Sequence, residues 1–220
     1  ERTIGPGVLR VVSMGLLVDD EETALMWRGL MLNRGVQHFL QDVRWGDDLD
    51  YLLVDMPPGT GDVQMGVAKM VPRAEVIVVT TPAVAAQKVA ILAVSMARKS
   101  YLRVAGVIEN MSAFTCAHGD SYALFGQGGG ETLAESAGVP LLGRVPIEPA
   151  VSAGGDAGVV GFDRAERISG DETGAESVAS ARRVFDFLRF GWGNVIFLAL
   201  DRDEGTGFAT TMKVFDKSRP

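Results

Sequence analysis

Asp55 is the residue of this sequence best placed to do chemistry. It ends a short apolar run, Tyr51 to Val54, and is followed by Pro57, Pro58, Gly59, Thr60, Gly61 and Asp62. The run reads as a buried strand of a parallel sheet, which puts Asp55 at the strand's carboxyl end, where open α/β sheets bind ligands. A carboxylate there can hold a water of a nucleotide-bound Mg²⁺, because Mg²⁺ keeps most of its waters and takes few protein oxygens. The two prolines donate no N–H and fix φ, so the first available amides belong to Gly59, Thr60 and Gly61. Amides bunched this way, ahead of a helix opening at Asp62, sense a terminal phosphate. The expected chemistry is that of a switch loop in a phosphate-hydrolysing machine.

A switch loop normally works with a glycine-rich phosphate cradle carrying a lysine, GxxxxGK(S/T). The five lysines here are Lys69, Lys88, Lys99, Lys213 and Lys217, and none follows a glycine. The sequence opens at Glu1 without a methionine and is strand-like by Val8. The expectation is a fold whose N-terminal part is missing. The triple glycine Gly128–Gly130, ahead of a helix at Glu131, suits an anion site or a flexible hinge or tight loop. The lack of an accompanying lysine favours the hinge or loop.

The elements that must position these residues alternate. Val8 to Met14 and Leu16 to Val18 read as strand, and Trp27 to Val43 has apolar positions at helical spacing. After the Tyr51–Val54 strand, Val63 to Met70 reads as a helix capped by Asp62. Glu75 to Thr80 is a buried strand, Ala83 to Ser100 an alanine-rich helix, and Arg103 to Ile108 a strand with Glu109 and Asn110 at its carboxyl end. Ser112 to Gly130 reads as a long loop, Glu131 to Ala137 as a helix stopped by Gly138, and Leu141 to Val145 as a last strand before Pro146. This alternation predicts an α/β fold with a mostly parallel, doubly wound sheet and flanking helices. From about Gly158 the pattern weakens into a glycine-rich, charged linker. Beyond it come a helical stretch, Ala175 to Phe190, and strand-like runs at Asn194 to Leu200 and Phe208 to Phe215. The division is a nucleotide-binding unit over 1–157 and a linker with a divergent tail over 158–220.

Composition narrows the function classes. With 220 residues and 47% hydrophobic content, the chain can bury one substantial core. A net charge of −7 opposes a nucleic-acid-binding surface, because phosphate binding is dominated by Lys and Arg. The apolar runs, such as Val195 to Leu200, are far short of the roughly 20 residues that span a bilayer. One cysteine, Cys116, excludes an internal disulfide and suits a reducing compartment. The expected location is the cytoplasm.

Several motifs, in order, carry a family resemblance: LDYLLVDMPPGTGDVQ, VVTTPAVAAQKVA, VAGVIENMSAF, FGQGGGE and GVPLLGRVPIEPAV. Together they resemble the Mrp/ApbC-type ATP-binding iron–sulfur cluster carriers of the MinD/ParA-like branch of P-loop ATPases, over roughly Val11 to Asp156. The resemblance implies a homodimer that binds Mg·ATP, hydrolyses it and delivers clusters to apo-proteins. It implies that Asp55 is the catalytic carboxylate near Mg²⁺ and the attacking water, with Gly59 beside the γ-phosphate. Asn110 would read adenine, since its amide offers donor and acceptor together, and Pro146 would flank the base. The resemblance also places the phosphate-loop strand mid-sheet, so its loss would leave strand edges unpaired.

The sequence departs from the family in three ways. The lysine-bearing loop and the segment after it would lie upstream of Glu1. The family's CxxC pair falls on Cys116–Ala117–His118–Gly119, so a dimer offers two thiolates against the four that clusters usually take. Cys116 is therefore either a cluster ligand, with His118 as a conceivable helper, or a small buried or loop thiol, and the second reading is favoured. The family motif WRGPM appears as Trp27–Arg28–Gly29–Leu30–Met31, and nothing after Gly158 matches the family's C-terminal segment. Two rival readings remain: a non-hydrolysing pseudo-ATPase that dimerises with a complete homologue, and a MinD/ParA-like positioning ATPase. For the latter, Ala175 to Phe190 would be a membrane-surface helix, although packing on its own sheet is the more ordinary role.

Overall fold

The structure is a computed structural model that describes residues 2–4, 7–13, 29–46, 49, 51–56, 61–149, 196–201 and 213–216. Two sheets are present among them. A small antiparallel sheet joins β1 (Arg2–Ile4), β2 (Gly7–Val11) and β9 (Lys213–Asp216) in that order. The larger sheet contains β3 (Tyr51–Asp55), β8 (Ile196–Asp201), β4 (Glu75–Thr80), β5 (Arg103–Thr115) and β6 (Ser121–Tyr122) in spatial order, with β7 (Leu141–Ile147) also paired to β5. β4, β5 and β7 are parallel. β8 is antiparallel to both β3 and β4, so β3 runs in the same direction as the parallel group.

The expected gap in the sheet is filled. β8 pairs Leu53 with Ala199 on one side and Glu75 with the same Ala199 on the other. The facing edges of β3 and β4 thus have ladder partners, which removes the exposed edges that a missing central strand would leave.

The parallel strands are buried on both faces. Leu52, Val54, Val76, Val78 and Val107 point into one apolar cluster. The alternate residues Leu53, Ile77, Val79 and Ile108 are buried as well, as expected for a strand covered on both sides. The first cluster is closed by α2 (Asp62–Met70) through Val63, Val67 and Ala68, and by α3 (Val84–Lys99) through Ala90, Ala93, Val94 and Ala97. The small residues of α3 recur at i, i+3, i+4 and i+7, one helical stripe. α1 (Gly29–Gln41) adds Val36 and Leu40, and α4 (Gly129–Ala137) adds Leu133, Ala134 and Ala137.

Three local readings change. Asp62 is the first residue inside α2 rather than its cap; Gly61 holds the N-cap position, without a side-chain hydrogen bond. The strand expected to end at Ile108 continues to Thr115, so part of the expected loop after Ser112 is the β5–β6 hairpin. β7 likewise runs past Val145 through Pro146. The expected helix at Ala175 to Phe190 and the run Leu16 to Val18 lie outside the described residues.

Candidate functional site

Because β3, β4, β5 and β7 run the same way, one sheet edge collects Asp55, Thr80, the Glu109–Asn110 pair and the Val145–Pro146 pair. Asp55 is exposed at the end of β3. Further along the chain, α2 opens with Gly61 at its N-cap. Gly61 has φ −83°, and a Cβ there would meet only Gln64 Oε1 at 3.5 Å, so neither backbone nor space requires glycine. Pro57, Pro58, Gly59 and Thr60 lie outside the described residues.

Asn110 is 6% exposed. Its Oδ1 accepts the backbone N–H of Met111 at 2.9 Å, a residue with φ 56°. That positive φ marks an irregularity: β5 pairs Asn110 with Val145, then Phe114 with Ile147, so four steps on β5 match two on β7. Pro146 falls in this interrupted stretch, where a residue without an N–H costs no ladder bond. Asn110 and Pro146 are thereby brought together on neighbouring strands. Asp55 lies three strands away, roughly 14 Å at the usual strand spacing. Asp55 and Asn110 can serve two ends of an extended ligand but cannot share one metal ion.

The sequence reading passed over the residue most tightly held at this edge. Glu109 is 2% exposed. Its Oε2 accepts the N–H of Gly130 at 2.6 Å, in the first turn of α4, and its Oε1 lies 3.3 Å from Arg144 Nε. Arg144 Nη2 in turn reaches Glu131 Oε2 at 2.8 Å. A carboxylate at a helix amino end is favoured by both the open N–H groups and the dipole. No spacing rule links positions 109, 130 and 144; only the register that sets Glu109 opposite Arg144 does so.

The triple glycine, expected as a hinge or tight loop before a helix at Glu131, instead opens α4: Gly128 is its N-cap and Gly129 and Gly130 are its first two residues. Gly128 adopts φ 71° at the head of α4. A Cβ on Gly129 would collide with the carbonyl oxygen of Pro82, and one on Gly130 would lie 2.6 Å from Glu109 Cβ. The anion at this helix terminus is the chain's own Glu109.

Cys116 sits at the β5–β6 turn, half-buried and free. Its N–H donates to Asp120 O at 2.9 Å, and Gly119 N–H donates to Cys116 O at 3.0 Å. Gly119 has φ +91° with nothing near its missing Cβ, so the turn itself favours glycine where the second thiol would stand. His118 is exposed. Among the described residues no three His, Cys, Asp or Glu side chains are grouped to hold a metal, and no helix is long and apolar enough to cross a membrane.

Comparison with known proteins identifies the family. Residues 4–181 match the ParA family, described as NUBPL iron-transfer P-loop NTPase. The iron–sulfur cluster carrier protein of Mycobacterium tuberculosis H37Rv is 52% identical over 143 residues, covering 62% of this chain and 37% of that protein. Its counterpart in Saccharolobus solfataricus is 41% identical over 157 residues, covering 70% and 53%. In Bacillus subtilis the figures are 45% over 141 residues, covering 64% and 40%. The chain thus spans between about a third and about half of these relatives' length. Among solved structures, a nucleotide-binding protein from Archaeoglobus fulgidus in complex with ADP is similar, at TM-score 0.52 and 34% identity, covering 59% of this chain and 53% of that one.

Proposed function

Because the chain belongs to the ParA family of NUBPL-type iron-transfer P-loop NTPases, we propose that its carboxyl sheet edge is the adenine-nucleotide site of an ATP-dependent iron–sulfur cluster carrier. Clusters are its cargo, taken up by a homodimer in the cytoplasm and passed to apo-proteins. The observation that carries this reading is the collection of Asp55, Asn110 and Pro146 on one edge of parallel strands. The names of the relatives and the ADP complex of the similar structure support it. In this reading 1–157 carries the nucleotide-binding residues, and 158–220 is a linker and divergent tail whose β8 and β9 pair into the two sheets.

The residues present suit part of a Mg·ATP site. Asp55 is an exposed carboxylate able to hold a Mg²⁺-bound water, and the Gly59, Thr60 and Gly61 amides that follow it in the sequence are the ones proposed for the terminal phosphate. Asn110 keeps its Nδ2 without a protein partner among the described residues, while Oδ1 retains a second lone pair, so both are open to an adenine edge. Gly61, which the fold itself does not require, leaves room for a ligand to approach the backbone. Mg²⁺, when bound, neutralises charge developing on the phosphates. No lysine of this sequence follows a glycine, so it contains no phosphate-cradle motif and we assign it no hydrolytic step.

That same observation favours a second reading, a non-hydrolysing binding module that pairs with a complete homologue. Co-purification of a homologous ATPase would support it, and a strictly monomeric chain would oppose it. The leading reading is tested by calorimetric titration of the chain with ADP, with and without Mg²⁺. The parent is expected to bind more tightly with Mg²⁺ and Asp55→Asn to lose that difference. A Mg²⁺ effect equal in both proteins would remove Asp55 from the site.

A further inference from the structure

We propose that Glu109 is the positioning residue of the base site, holding Asn110 in place through its bonds to Arg144 and Gly130; this rests on the reading of Asn110 given above. Asn110 stands at a weak point of its strand. Directly after it the β5–β7 pairing slips and Met111 takes φ 56°. A strand broken there needs its last regular residue fixed, or the Asn110 amide would move with the bulge.

That last regular residue is Asn110, and Glu109 directly before it is fixed from three directions. Its backbone is paired with Thr80 of β4 and Arg144 of β7. Its side chain accepts from Gly130 at 2.6 Å and meets Arg144 at 3.3 Å. Gly130 admits no side chain against it. A carboxylate this buried is tolerated only with such partners. Arg144 also precedes Val145 and Pro146, so one ion pair adds a side-chain tie between the two strands that carry Asn110 and Pro146. Supporting contacts of this kind are what keep a site-forming side chain within useful tolerance.

Glu109→Gln separates the two bonds. The amide oxygen still accepts from Gly130, while the charge facing Arg144 is lost. The full chain, labelled with ¹⁵N, is examined first without nucleotide, following the side-chain amide of Asn110 by NMR. The parent should give one sharp Nδ2 pair, and Glu109→Gln should shift, broaden or double it. Arg144→Met removes the pair from the other side and should do the same. An unchanged Asn110 amide in both variants overturns the proposal. Loss of folding in both also overturns it, since the pair would then hold the fold rather than the site.

The second readout is the Kd ratio of GDP to ADP. Glu109→Gln should weaken ADP binding roughly tenfold, the lower end of the cost of removing a supporting residue, and should lower the ratio. Asn110→Ala separates the two claims. If it leaves the ratio untouched while Glu109→Gln disturbs the amide, base reading fails and positioning stands. If it collapses the ratio while Glu109→Gln changes neither readout, positioning fails alone. If neither nucleotide binds, the amide spectrum decides.

Discussion

The N–H of Gly130 and the carboxylate of Glu109, 21 positions apart in the chain, meet at 2.6 Å inside the protein. The contact joins the amino end of α4 to the strand that carries Asn110, and it leaves no room for a side chain at position 130. Gly130→Ala should therefore destabilise the chain by about 1–3 kcal/mol, the usual cost of overpacking. Gly128→Ala, strained only by φ 71° with open space around it, should cost about 1 kcal/mol, and Gly128→Asn less. Urea denaturation of the three variants checks the order.

Tyr101 and Gly138 end their helices in the same way. After α3, Tyr101 N–H bonds to Arg98 O and Leu102 N–H to Ala97 O; after α4, Gly138 N–H bonds to Glu135 O and Val139 N–H to Ala134 O. Both turning residues have positive φ, 60° and 61°. Tyrosine pays a steric penalty there that glycine does not, and Tyr101 is 95% exposed, so it has little packing to lose. Tyr101→Gly should stabilise the chain by about 1 kcal/mol, a rise of about 2–4 °C in Tm. A fall in Tm would show that the ring is held by contacts absent from this structure.

These features differ in how far the amino-acid sequence announces them. β3 and β4 are legible because unbroken apolar runs ending in Asp55 and Pro82 are typical of strands covered on both faces. The carboxyl-edge positions of Asp55 and Asn110 follow from the same alternation. The extension of β5 is not legible, since it passes through a bulge at Met111 that no periodicity marks. Nor is the Glu109–Arg144 pair, which exists only once β5 and β7 are in register. The apolar run near Val195 signals a strand but carries no sign of its direction or neighbours. Its antiparallel insertion between β3 and β4 depends on two edges that lie more than a hundred residues away.

Gly119 tests the cysteine hairpin. Gly119→Cys restores a two-residue-spaced thiol pair on a turn whose φ of +91° disfavours it. The expected cost is about 1 kcal/mol. After anaerobic reconstitution with iron and sulfide, the variant should retain more visible absorbance per chain than the parent, and in the dimeric fraction, because a dimer then offers four thiolates. Equal retention by the two proteins would move cluster binding away from this hairpin.

The most direct test of the account is a chemical-shift map of the full chain titrated with Mg·ADP. The account predicts perturbations confined to the carboxyl edge and the α2 N-cap, at Asp55, Gly61, Asn110, Met111, Val145 and Ile147. Perturbations elsewhere with these residues unmoved, or none at millimolar nucleotide, would contradict it.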